Sequence, residues 1–190
     1  MLKKSLKNNS LIIIIVIITF AIIFRYVYIN NKYPAPNEIL LKTGNTLVNN
    51  NVHVLVKSAE LKSITSVLND FDTSINNLNE ENLTKNDIKV LLVTLEISND
   101  SKSESIFPLY AINAESYGWS NGASSELYSQ LNSEKSLNIT LSPNEKKEIM
   151  LPFKLYSIQF SNNSWKKINH RDFFLVFSTY PQKIYVSLFS

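Results

Sequence analysis

The segment Gly118-Trp119-Ser120-Asn121-Gly122 has the spacing Gly-x-Ser-x-Gly. In a nucleophile elbow that spacing holds a serine hydroxyl at a strained turn between a strand and a helix, with the acid and then the histidine following in chain order. Here the only downstream histidine is His170, and Asp172 comes after it. The chain also lacks the repeated strand–helix units that build a hydrolase sheet. A glycine-bounded surface loop is the simpler reading, and an extracytoplasmic hydrolase using Ser120 or a carboxylate pair is the alternative function. Tyr117 and Trp119 flank Gly118 in the same segment. Large rigid aromatics with one polar tip are enriched at binding hot spots, so Tyr117 and Trp119 mark a candidate partner-binding loop. The competing expectation is that Trp119 folds back to plug one end of the core.

Asp70, Asp72, Ser74 and Glu81 place oxygens at positions 1, 3, 5 and 12 of an EF-hand-like loop. The sixth position, where glycine makes the sharp turn round the ion, is Ile75. A solvated polar segment is expected there, with an irregular calcium site as the rival. His170-Arg171-Asp172 matches the start of a kinase catalytic loop, but the asparagine and the glycine-rich loop that must accompany it are missing. The two histidines, His53 and His170, have no carboxylates spaced to complete a zinc site with them. The absence of cysteine excludes disulfides, thiolate metal sites, cysteine nucleophiles and a lipid-bearing cysteine anchor. No catalytic residue, metal or cofactor is implied.

These residues must be positioned by a chain of 190 residues with a formal charge of +3. Lys3, Lys4 and Lys7 precede a nearly unbroken apolar run from Leu11 to Phe24, which continues after Arg25 through Ile29. About 19 residues suffice to cross a bilayer, and lysines before the span place the N-terminus in the cytoplasm. The expected anchor is single-pass and uncleaved, with the C-terminal domain extracytoplasmic in the cell membrane. The rivals are a signal peptide cut after Ala21 and a pilin-like helix. Without the three lysines the chain is close to neutral, which gives no nucleic-acid footprint. Expected partners are the membrane, through the helix, and an envelope or membrane protein.

After a polar, proline-containing linker the pattern turns to strands. Val52, Val54 and Val56 alternate with His53 and Leu55, and Leu91, Val93, Leu95 and Ile97 alternate with Leu92, Thr94 and Glu96. Further strands are expected at Leu137–Leu141, Ile149–Phe153, Phe173–Phe177 and Ile184–Leu188, with a hairpin-like turn at Ser142-Pro143-Asn144-Glu145. Between them, Leu68, Phe71, Ile75, Leu78 and Leu83 suit a short amphipathic helix or ordered excursion, and Ala123–Lys135 suits one or two helical turns. Six or seven strands with few helices predict an antiparallel sandwich. The expected domains are 1–29 (lysines and anchor), 30–37 (linker) and 38–190 (sandwich).

Three segments in order carry a resemblance: the glycine-led opening Thr43–Glu60, the strand Val90–Ser101 ending in Asn99-Asp100-Ser101, and Leu141-Ser142-Pro143-Asn144-Glu145 leading into the strand to Phe153. Together they resemble the telokin-like, immunoglobulin-like extracellular domains of Gram-positive membrane proteins and lipoproteins. Asn144 stands where glycine is usual. The resemblance implies an immunoglobulin-like β-sandwich with a surface accessory or protein-binding role, and it brings no catalytic motif.

Overall fold

The computed structural model describes residues 2–49, 51–71 and 87–189, in two compact units, Met1–Asn37 and Glu38–Ser190.

The first unit is built on α1 (Leu2–Lys32). No glycine or proline interrupts this stretch, and Pro34 and Pro36 end it by denying the backbone its donors and helical geometry. The helix runs past the expected boundary at Ile29, and the Tyr33 amide still donates to the Ile29 carbonyl at 2.8 Å. Residues 30–32, assigned from sequence to the linker, therefore belong to the helix. Ile12–Lys32 is long and apolar enough to cross a membrane.

The second unit is mainly β. Its strands are β1 (Asn37–Lys42), β2 (Thr46–Asn49), β3 (Val52–Ser63), β4 (Ile88–Asn99), β5 (Ser105–Pro108), β6 (Asn113–Ser116), β7 (Trp119–Gly122), β8 (Asn138–Leu141), β9 (Lys146–Tyr156), β10 (Phe174–Ser178) and β11 (Gln182–Ser187). Its helices are α2 (Ile64–Asp70), α3 (Ser125–Leu131) and α4 (Asn162–Lys166). One sheet has the order β1-β11-β10-β6-β7, a second β2-β3-β4-β9, and β5 pairs with β8. The six strands recognised from periodicity are all present. Strand β1 and the four-residue strands β2, β5 and β7 escaped notice; the four-residue ones are too short to show a period and are fixed by their partners.

Val54, Leu91, Val93, Leu95, Leu151 and Phe153 of the four-stranded sheet share one buried cluster with Leu175, Val186, Ala114 and Trp119 of the five-stranded sheet. That shared core makes the unit a β-sandwich. Fully burying each such side chain stabilises by about 1.5–3 kcal/mol. A bulge at Lys57 preserves the core along all of β3: Val56 pairs with Leu95, but Ser58 pairs with Thr94. Inward positions before it are Val52, Val54 and Val56; after it, Ala59 and Leu61 pack on the core. One extra residue has reversed the parity that period two would otherwise impose.

The sequence reading of β4 as half-buried holds only for its second half. Val90, Leu91, Leu92 and Val93 are all buried, because Val90 and Leu92 face a second cluster formed with Ile64, Val67 and Leu68 of α2 and Leu127 and Leu131 of α3. Ser63 caps α2 by accepting from the Ser66 amide at 3.1 Å. Of the apolar positions expected on an amphipathic excursion, Leu68 and Phe71 pack in this cluster, while Ile75, Leu78 and Leu83 lie outside the described residues.

The turn Ser142–Glu145 exists, with the Glu145 amide donating to the Ser142 carbonyl at 3.1 Å. It is not a hairpin: β8 pairs with β5 and β9 with β4, so the chain passes from one sheet to another. Asn144 has φ 60°, the left-handed region that glycine or asparagine tolerates best. Fully buried Asn99 fastens this crossing. Its Nδ2 donates to the carbonyls of Ser103, Leu141 and Ser142 at 2.8, 3.0 and 3.2 Å. Its Oδ1 accepts from the Ser101 amide at 3.1 Å and the Ser105 hydroxyl at 3.2 Å. Two of the segments that carried the resemblance are thus bonded to each other.

Candidate functional site

The hairpin β6–β7 turns at Tyr117 and Gly118, where Gly118 has φ 68°. Residues 119–122, read from sequence as a loop, form strand β7, with Ser116 opposite Trp119 and Glu115 opposite Ser120. The turn then separates the two candidate aromatics, because Tyr117 lies in it and Trp119 is the first residue of β7. Tyr117 is 94% exposed at the turn, whereas Trp119 is only 7% exposed. Trp119 packs edge-on to Phe173 at 5.9 Å and tilted to Phe160 at 6.0 Å, and its Nε1 donates to Gln159 Oε1 at 3.0 Å. The pair therefore does not present a common surface, and Trp119 closes the core. Ser120 sits in mid-strand, not at a strand-to-helix turn, so the nucleophile-elbow geometry is absent. His53, in the other sheet, pairs with Asp100 at 3.3 Å.

Asp70 ends α2 and pairs with Lys62 at 3.1 Å. The remainder of the EF-hand-like spacing, Asp72 to Glu81, lies outside the described residues. Among the described residues no three acids or histidines gather to hold a metal.

Two concavities contain clustered polar groups. The first lies where β7, β9 and the start of α3 meet, a cleft of about 440 Å3 lined in part by Asn121, Ser124, Glu126, Lys154 and Gln159. It follows from how the edge of β9 is protected. The Ser124 amide donates to the Pro152 carbonyl at 2.8 Å. Asn132 both accepts from the Met150 amide and donates to its carbonyl, each at 2.9 Å. Asn121 Nδ2 donates to the Lys154 carbonyl at 2.9 Å. Side chains thus satisfy an edge that would otherwise template another strand. Lys154 reaches Glu126 at 3.0 Å, and Gln159 Oε1 also accepts from the Tyr156 amide at 3.0 Å. Asn121, Lys154, Glu126 and Gln159 of this cleft are thus already partnered.

The second concavity, about 350 Å3, is lined by Asn163, Ser164, Lys167, His170 and Arg171. Arg171 is held from two sides: Nε donates to Ser116 Oγ at 2.6 Å, and the guanidinium lies over the Phe160 ring at 5.3 Å. Ser116 Oγ in turn donates to the Asp172 carbonyl at 2.5 Å. Nearby, Lys89 Nζ donates to Asn169 Oδ1 at 2.6 Å.

Glu145 and Tyr128 are among the titrating groups displaced from their ordinary ranges. The Ser142 amide, bonded to Glu145 Oε2 at 2.7 Å, holds the Glu145 carboxyl below its usual range, with Lys147 adding to the effect. Burial, helped by the charge of Glu134, pushes the Tyr128 hydroxyl up to about 12. That hydroxyl is buried without a hydrogen-bond partner among the described residues.

Residues 31–184 match a domain of unknown function (DUF5028). The chain belongs to the DUF5028 family. No curated protein matches it. Solved structures similar to this chain include an uncharacterised β-sandwich protein from Clostridium difficile 630, at 12% identity, covering 81% of this chain and 95% of that one with a TM-score of 0.47. Others are the yjhA protein from Bacillus subtilis, at 10% identity, 78% and 99% coverage and a TM-score of 0.46, and a conserved hypothetical protein from Bacillus anthracis, at 12% identity, 75% and 94% coverage and a TM-score of 0.47.

The DUF5028 match covers the sandwich as far as the middle of β11 and leaves out most of α1. Within the domain, sequence reasoning treated His170-Arg171-Asp172 only as a failed kinase motif and missed the groove. The available signal was the basic run Lys166-Lys167 followed by His170-Arg171. The partners that fix Arg171, Ser116 and Phe160, are remote in sequence and became visible only through pairing.

Proposed function

We propose that the chain is a membrane-anchored, non-enzymatic accessory or protein-binding module whose β-sandwich lies outside the cytoplasm. One observation carries this reading: the side chains of α1 from Ile12 to Ile29 are exposed, Phe24 at 75%. A continuous apolar surface of this length is stable only under a non-aqueous cover, and a bilayer core matches it in thickness. Lys3, Lys4 and Lys7 before the span support a cytoplasmic N-terminus. Two sheets around one core, antiparallel along β2-β3-β4-β9 and β11-β10-β6-β7, also support an immunoglobulin-like class for the sandwich. Exposed Tyr117 remains the contact residue of choice on the β6–β7 hairpin.

The test is protease added to intact cells, or to protoplasts if a wall shields the surface. Everything beyond about Asn30 should be degraded, leaving an N-terminal fragment that contains α1. Sandwich residues protected until the membrane is permeabilised would overturn the topology. A mature N-terminus at Ile22 would show cleavage and remove the anchor. Labelling of Ser120 by a fluorophosphonate probe would overturn the non-enzymatic reading.

A further inference from the structure

We propose that the groove lined by Asn163, Ser164, Lys167, His170 and Arg171 binds a phosphoryl group, with Arg171 as its fixed anchor. The argument begins with charge pairing. Lys57, Lys62, Lys146, Lys147, Lys154 and Lys183 each reach a carboxylate within 3.1 Å. Among the described residues Lys42, Lys102 and Lys135 have no such partner and stand apart, whereas at the groove cations without one are gathered together. Among the described residues Lys166, Lys167, His170 and Arg171 have no carboxylate partner, and Lys89 beside them donates to a neutral amide. Asp172 offers its backbone carbonyl to Ser116 and makes no ion pair with Arg171.

Arg171 is also positioned in advance. Its Nε is committed to Ser116 and its plane lies against Phe160, and among the described residues the two terminal nitrogens of the fork have no acceptor and can donate. A guanidinium immobilised in this way loses little rotamer freedom when it takes two oxygens of a tetrahedral anion, and it does so in a geometry that an ammonium cannot supply. Lys167 adds a mobile point charge, His170 a ring N–H, and Asn163 and Ser164 neutral donors. A wall of donors with no carboxylate among the described residues selects an oxyanion over a cation. The seam cleft at β9 has no such deficit, because its lysine and amides are already partnered. The shared ligand chemistry is a phosphate mono- or diester, carried by a lipid headgroup or by a soluble molecule.

The test uses the full chain in non-ionic detergent micelles with 15N-labelled arginine. Inorganic phosphate is titrated in one arm and glycerol 3-phosphate in a second. In a third the micelles are doped with phosphatidylglycerol, with undoped micelles as its control. A saturable shift of the Arg171 Nε–H resonance is expected. It appears in the soluble arms for a soluble ligand, and only with phosphatidylglycerol for a headgroup. Lys167→Gln should weaken binding about tenfold, the effect of losing one charge-assisted contact, while Lys102→Gln, on the exposed turn after β4, should leave it unchanged. Arg171→Gln should abolish binding. Because Arg171 also packs on Phe160, its melting temperature is measured alongside, and Lys167→Gln, with an exposed side chain, decides the matter without that complication. Shifts that never saturate in any arm, or equal losses in Lys167→Gln and Lys102→Gln, would overturn the site. Either result leaves the anchoring reading untouched, since protease accessibility tests that separately.

Discussion

Tyr117 and Trp119 are two positions apart and meet opposite environments. Cutting Trp119 to Ala removes an indole packed against Phe160 and Phe173, and a loss of about 3–5 kcal/mol is expected in denaturant melts. Tyr117→Ala, at an exposed turn, should stay within about 0.5 kcal/mol of the parent. An unaffected midpoint in Trp119→Ala would refute the core assignment. Tyr128 presents a different case, a buried hydroxyl with nothing to bond. Tyr128→Phe removes an uncompensated polar atom and should stabilise by about 1 kcal/mol. The same residue sets an alkaline limit. Its folded pKa of about 12 lies above the ordinary 10.0, so the folded state keeps a proton that the unfolded chain releases. This contribution is complete below pH 10 and is lost as the pH rises toward 12. The parent should therefore lose more stability across that window than Tyr128→Phe does.

At the scale of elements, the crossing from β8 to β9 depends on Asn99. Asn99→Ala removes bonds to three carbonyls, the Ser101 amide and the Ser105 hydroxyl, and breaking such a buried network should cost about 3–5 kcal/mol. Melts that coincide with the parent would show that water replaces the side chain. Glu145, bonded to the Ser142 amide in the same turn, gives the crossing an acid limit. Its folded pKa is depressed below the ordinary 4.5. The stability it adds is present above that value and disappears as the pH falls through the folded pKa. Glu145→Gln should therefore flatten the acid side of the stability profile, and an unchanged acid limb would remove this turn as its cause. The β9 edge follows the same logic, since side chains of residues 121–132 close backbone groups that no strand takes up.

For the whole molecule, the two compact units suggest separable unfolding. Val93 is fully buried between the sheets, and an unpaired carboxylate there costs several kcal/mol. In the full chain held in micelles, Val93→Asp should abolish the β-sheet signal in circular dichroism while the helical signal of α1 persists. The internal hydrogen bonds of α1 need no support from the sandwich. Parent-like melting in Val93→Asp would show that this position does not face the core.

Composition and periodicity alone determined the apolar helix, the β class and the inward faces of the long strands. Each of these follows from local pattern: a run of apolar residues long enough to span, or alternation sustained over enough positions to define a face. Trp119 as a possible core plug was likewise legible, because its size favours burial. Tertiary structure decided the rest. Strands of four residues have no period to read, and only their partners make them strands. The parity change at Lys57 is invisible in β3 alone, and the burial of Leu92 depends on helices drawn from two distant segments. The groove at Arg171 joins Ser116, Phe160 and Arg171 across two sheet neighbours and a short helical segment. Sequence supplied its charges, but that no carboxylate among the described residues pairs with them is a property of packing.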